Sequence, residues 1–208
     1  MSDIKQIERL YEHSYLSLIA TLFAAVLVCW LFEPIADKQV LIIWFVVFTC
    51  VTVIRIFLSW YFLSHEHKNI ESWLLMFVAA SLISGTLWGL TGFVFIREGH
   101  LTLLDSVLYH GLLLLFITAL IAGSVVTYSA SRLVYLSFSV PAVIPQCFLL
   151  ISHGDKYHSF LGGVVLAYAC VMFVISVYFH RIFSENSKIE ERNEYLELVL
   201  KENNIKLD

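Results

Sequence analysis

Six long apolar runs alternate with short polar connectors along this chain. The runs are Tyr15–Phe32, Val40–Leu63, Trp73–Ile96, Leu103–Tyr128, Leu133–Ile151 and Phe160–Phe183. Each approaches the roughly 20 apolar residues that a helix needs to cross the hydrocarbon core. No water is available there for backbone N–H and C=O groups, so a helix, which satisfies them internally, is the natural way across. The pattern predicts an all-α integral membrane protein, with residues 15–183 forming a six-helix bundle. The connectors EPIADK, SHEHKNIES, REGHLT, SASR and SHGDKYHS are too short to hold a domain between spans.

Two segments flank the bundle. Within residues 1–14, Ile4, Ile7, Leu10 and Tyr11 fall on one side of a helix, with Lys5, Glu8, Arg9 and Glu12 elsewhere. This predicts a short amphipathic helix lying at the cytoplasmic membrane surface. Beyond the sixth run the chain turns charged without a Gly or Pro to break it. Placing Ile182, Ile189, Leu196 and Asn203 at d puts Asn186, Asn193, Leu200 and Leu207 at a, a seam of period 3.5. That period is the condition for a left-handed coiled coil, and Asn at a tends to fix register and a two-stranded state. Residues 184–208 are therefore predicted to be a cytoplasmic helix that pairs as a homodimer through Ile189, Asn193, Leu196 and Leu200. A solvated tail helix is the plainer alternative.

Composition sharpens the class. Of 208 residues, 59% are hydrophobic and only 14% charged, and the mean hydropathy is +0.80; a soluble domain of this size does not combine these values. The lipid bilayer is thus the first partner. The net charge of −4 says little, because much of the acid lies in the last segment. No basic patch points to nucleic acid. Lys and Arg near the span ends set the orientation. Lys5, Arg9, Arg55, Lys68, Arg132, Arg181, Lys188 and Arg192 fall on one side, against Lys38, Arg97 and Lys156 on the other. Both termini are expected in the cytoplasm. The N-terminal stretch MSDIKQIERLYEHSY is polar for too long, and lacks the small-residue cleavage site, of a removed signal peptide.

Candidate chemistry is sparse. Cys29, Cys50, Cys147 and Cys170 all lie in apolar runs without a C-x-x-C pair, so packing is their expected role. In the third run, Ser81, Gly85 and Gly89 recur every four residues, the spacing that lets helices approach closely in lipid. Trp88 beside them either packs or lines a ligand cavity. Gly111, Ala119, Ala122 and Gly123 in the fourth run read as packing. Pro141 and Pro145 must each remove a helical hydrogen bond, giving a kink, a hinge or a water-lined pocket in the fifth run. Intramembrane ionisable groups are costly. Arg55 is expected to snorkel to lipid phosphate. Asp105, Tyr109 and His110 open the fourth run from the outer side and join Trp88 as ligand-pocket candidates. The eight histidines include no pair at facing mid-bilayer positions, and His65-x-His67 is too small a ligand set for a metal; no metal or cofactor is expected. No catalytic constellation, phosphoacceptor or nucleotide-binding loop appears, so this chain alone is expected to be non-catalytic.

Taken together, the polar N-terminal helix, six short-looped spans, S-G-T-L-W-G-L from Ser84, P-A-V-I-P from Pro141 and the charged exiting helix resemble the N-terminal membrane sensor module of bacterial signalling proteins. In that group the module precedes a histidine kinase of a two-component system, or a diguanylate cyclase or cyclic-di-GMP phosphodiesterase. The resemblance spans the whole chain and implies a bacterial inner-membrane location, a dimer, a cytoplasmic effector in cis or in trans, and signal transfer through the exiting helix. Gly85, Trp88, Gly89, Pro141 and Pro145 are the motif positions it covers. It also implies a small lipophilic ligand as a possible stimulus. A small six-helix transporter or channel is the rival class, disfavoured by scarce mid-span ionisable groups and no evident inverted repeat.

Overall fold

A computed structural model describes residues 2–64, 70–96, 101–128 and 130–207. His65, His67, Lys68, Arg97 and His100 lie outside the described residues, as do the side chains of Lys5, Arg9, Asn203 and Leu207. The described residues form α1 (Ser2–Phe32), α2 (Lys38–Ser64), α3 (Ile70–Gly89), α4 (Thr91–Phe95), α5 (Leu103–Thr127), α6 (Arg132–Ser152) and α7 (Lys156–Leu207), with no strand among them. Six helices are long and apolar enough to cross a membrane, with α3 and α4 together making the third. This is the architecture of a multi-pass membrane protein.

The burial pattern is that of a protein whose solvent is lipid. Large apolar side chains such as Leu16, Phe23, Trp30, Ile42, Ile54 and Phe160 point outward, while Ser, Thr, Arg, Gln and His residues are buried. A soluble protein does the reverse, because water would otherwise meet the apolar surface. Here the interior hydroxyls of Thr52, Ser59 and Ser84 bond the carbonyls four residues back, which lets polar side chains sit inside without orphaned groups.

Helix α3 packs chiefly against α6, α6 against α7, α1 against α2 and α5, and α5 against α7. Antiparallel crossing puts the α1–α2 and α6–α7 connectors and the start of α5 at one end of the bundle and the free length of α7 at the other. Residues 4–13 depart from the surface-helix expectation. They are the first turns of α1, which continues unbroken into the span, and Ile7, Leu10 and Tyr11 are buried in the core. Tyr11 stacks on Phe62 at 4.2 Å and meets Phe77 edge-on at 5.0 Å. Its hydroxyl donates to the Trp73 carbonyl at 3.0 Å. Those aromatic contacts explain why the apolar stripe turns inward rather than to the headgroups.

Candidate functional site

The motif glycines and prolines meet. A Cβ placed on Gly89 would overlap the Pro141 carbonyl oxygen and sit 3.1 Å from Pro145 Cγ. One on Gly85 would overlap the Phe138 carbonyl oxygen and sit 2.9 Å from Pro141 Cγ. Both prolines lie inside an otherwise continuous α6. Because Pro145 has no N–H, the Pro141 carbonyl lacks its helical donor. That carbonyl faces the Cα of Gly89, a geometry suited to a weak Cα–H···O contact. The freed carbonyl is thus covered by backbone packing against α3. By contrast, no group lies within 4 Å of a Cβ built on Gly111 or Gly123, so those two glycines do not mark a close approach.

The same face explains the break between α3 and α4. Gln146, one turn beyond Pro141, donates from Nε2 to the Gly89 carbonyl at 2.9 Å and the Thr91 hydroxyl at 3.3 Å. The carbonyl at the C-terminus of α3 is thereby satisfied by a side chain, as a buried helix end requires. Trp88 is completely buried here. Its ring meets Trp44 and Phe48 edge-on at 5.5 and 5.6 Å. It packs in an aromatic cluster.

Toward the other end, Arg55 is only 5% exposed. It donates from Nη1 to Ser84 Oγ at 3.0 Å, and from Nη2 to Ser81 Oγ at 3.2 Å and the Tyr128 hydroxyl at 3.1 Å. The Phe77 ring lies 5.4 Å from its guanidinium carbon. The snorkelling expectation is corrected: Arg55 lies on the inner face of α2, where hydroxyls three residues apart on α3 accept its planar fork. Ser81, grouped with the glycines as a packing residue, serves this guanidinium.

The connector end holds a cluster of titratable groups. Gly154 takes φ +73°, a conformation that an L side chain resists, and reverses the chain between α6 and α7. Asp155 follows, and its Oδ1 accepts the backbone N–H groups of Tyr157 at 2.9 Å and His158 at 3.1 Å. This is the N-capping role that Asp fills well. Its Oδ2 lies 2.5 Å from His158 Nδ1. Partial burial pushes the Asp155 carboxyl up, but the His158 and Tyr157 donors outweigh it and hold the group below its ordinary range. His158 is buried, and its Nε2 lies 3.0 Å from Ser106 Oγ on α5. His110, one turn further along α5, is fully buried, with Nδ1 2.9 Å from the Ser106 carbonyl. Its Nε2 is buried with no hydrogen-bond partner. The His153 ring stacks on His158 at 4.1 Å and meets His110 edge-on at 5.3 Å. Candidate ligand nitrogens of the three lie within 4.8 Å of one another.

The four ligand-pocket candidates are thus placed in four different settings. Trp88 is in the aromatic cluster and His110 in the histidine group. Asp105 completes the N-terminal cap of α5, its Oδ2 accepting from Thr102 Oγ1 at 2.7 Å and its N–H donating back at 3.2 Å. Tyr109 lines a groove of about 720 Å³ with Cys29, Leu31, Pro34, Leu41 and Phe45. On α7, Ile189, Asn193, Leu196 and Leu200 are all exposed in the single chain. Sequence reasoning missed Gln146, and also the meeting of His153 and His158 with His110. The available signal was two histidines five residues apart around a glycine turn, plus one inside a span. Comparison with family models, with curated proteins and with solved structures finds no match for this chain.

Proposed function

We propose that this chain is the membrane input module of a bacterial signalling protein, working as a homodimer in the inner membrane with both termini in the cytoplasm. A ligand or membrane-derived signal shifts the helices of the bundle, and α7 carries the shift to a cytoplasmic effector, a histidine kinase or a cyclic-di-GMP enzyme in cis or in trans. The observation that carries this reading is α7 itself. It is one helix of 52 residues, of which only the part up to Asn186 is apolar enough to cross the membrane. The remainder leaves Ile189 57%, Leu196 47% and Leu200 62% exposed. Apolar side chains at 3.5-residue spacing on a solvated helix favour burial against a second copy. A stimulus biases such a switch only by its differential affinity for the two states.

Cysteine crosslinking in native membranes tests this, with Cys29, Cys50, Cys147 and Cys170 replaced. Leu200→Cys, on the seam, is expected to crosslink between copies, and Glu197→Cys, off it, is not. Equal or absent crosslinking at both positions would remove the dimeric rod and with it the basis of the signalling role.

A further inference from the structure

We propose that His110, His153 and His158 form a binding site for a d-block divalent cation of the zinc class, at the connector end of the bundle. Three observations converge. First, the tautomers are set for ligation. A carbonyl can only accept, so the 2.9 Å contact with Ser106 O puts the ring proton of His110 on Nδ1. The Asp155 carboxylate does the same for His158 Nδ1. Both rings therefore offer an Nε2 lone pair to the cluster. Hydrogen bonding of the distal ring nitrogen to a carboxylate or a backbone carbonyl is how ligating histidines are held in other metal sites.

Second, His110 Nε2 is an unpartnered polar atom on a fully buried side chain. A buried acceptor without a donor is costly, and a cation would satisfy it. Third, the spacing is close to a ligand set. Tetrahedral coordination with Zn–N bonds of about 2.0–2.1 Å places nitrogens about 3.3 Å apart. One candidate nitrogen from each ring already lies within 4.8 Å of the others, and binding would draw the three rings together by the remaining distance. The Ser106 hydroxyl, now 3.0 Å from His158 Nε2, would turn aside.

The donor set selects the metal class. Three neutral imidazoles suit zinc, copper, nickel and cobalt, whereas calcium and magnesium need oxygen ligands. A water is the natural fourth ligand, as in other three-histidine sites. Bound metal would join α5 to the α6–α7 turn and so fix the start of α7. Metal binding itself does not depend on the signalling role: it is read on the bundle, while crosslinking reads the far end of α7.

The test uses the full chain, purified in detergent after chelator treatment and titrated with Co²⁺ alone and then with Zn²⁺. One cobalt per chain, with the strong visible absorption of a four-coordinate ion and displacement by zinc, is expected. His158→Asn and His110→Gln should abolish that spectrum. Asp155→Asn, which leaves all three ligands in place, should weaken affinity about 10–100-fold. His65→Gln with His67→Gln should bind as the unmodified chain does. Failure of the unmodified chain to take up cobalt, or a spectrum of six-coordinate cobalt, would overturn the site. So would affinity unchanged in both His158→Asn and Asp155→Asn.

Discussion

A single methyl group on Gly89 tests whether α3 and α6 are held backbone to backbone. The new Cβ of Gly89→Ala would overlap the Pro141 carbonyl oxygen, with Pro145 Cγ only 3.1 Å away. Neither obstacle is the end of a flexible side chain, so relief requires the helices to part. Separating packed surfaces by about 0.5–1 Å forfeits a quarter to a half of each contact's dispersion energy, and overpacking of this kind costs about 1–3 kcal/mol. Gly111→Ala is the matched control, since nothing lies within 4 Å of its Cβ position and it sits inside α5. There only the helix propensity changes, in favour of Ala by up to about 1 kcal/mol. The two substitutions should therefore differ by roughly 1–4 kcal/mol, Gly89→Ala being the less stable. Reversible unfolding in mixed micelles of increasing dodecyl sulfate, followed by far-ultraviolet circular dichroism, measures the difference. A Gly89→Ala protein as stable as Gly111→Ala would refute the close approach.

Two further outcomes follow from the buried polar contacts and are read by the same unfolding measurement. Tyr128→Phe should destabilise the bundle by about 1.5–3 kcal/mol, because it removes an acceptor from a buried guanidinium; no loss would mean that Arg55 finds water instead. Gln146→Leu should cost about 1–3 kcal/mol, since it leaves the Gly89 carbonyl at the end of α3 without its donor. An unchanged midpoint would show that the helix end is satisfied another way.

The spans were legible because their signal is long and one-sided: some twenty apolar residues with breakers or charges at the ends admit few alternatives. All six predicted runs coincide with helices apolar enough to cross a membrane. The small-residue stripe and the proline pair were also visible, and each implied a special backbone. What the sequence did not carry was their partnership, because an interval of four says that a helix can approach, not which helix does. Arg55 was misjudged for a related reason. Its nearness to a span end suggested lipid phosphate, but the inward direction of its side chain depends on where Ser81, Ser84 and Tyr128 lie. The histidine group was hidden by distance along the chain, His110 being separated from His153 by the whole of α6. The surface-helix expectation for residues 4–13 failed because Phe62, Trp73 and Phe77 pack around Tyr11, which draws that face of α1 into the core.

How the helices are held also bears on where movement is possible. Backbone approach at Gly85 and Gly89, together with the Gln146 bonds, leaves α3 and α6 little room to slide without breaking several contacts at once. Helix α7 is held differently. Along its crossing, the buried side chains beyond His158 are Val165 and Ser176, and Tyr168 reaches α5 through one hydrogen bond to the Thr118 carbonyl at 2.9 Å. Grooves lie on two sides of it: one of about 360 Å³ against Tyr135, Ser139 and Val143 of α6, and one of about 560 Å³ where Phe183 faces α1 and Gly123 of α5. Dense interiors transmit small displacements because they cannot absorb them, whereas a helix flanked by grooves can tilt at modest cost. The α3–α6 pair is thus fixed backbone to backbone, whereas α7 rests on α5 and α6 through side chains with grooves beside it. The start of α7 is tied down by side chains as well, Asp155 capping it and His158 meeting Ser106 of α5, so under the proposed signalling role a change at that turn would act on α7 at its root.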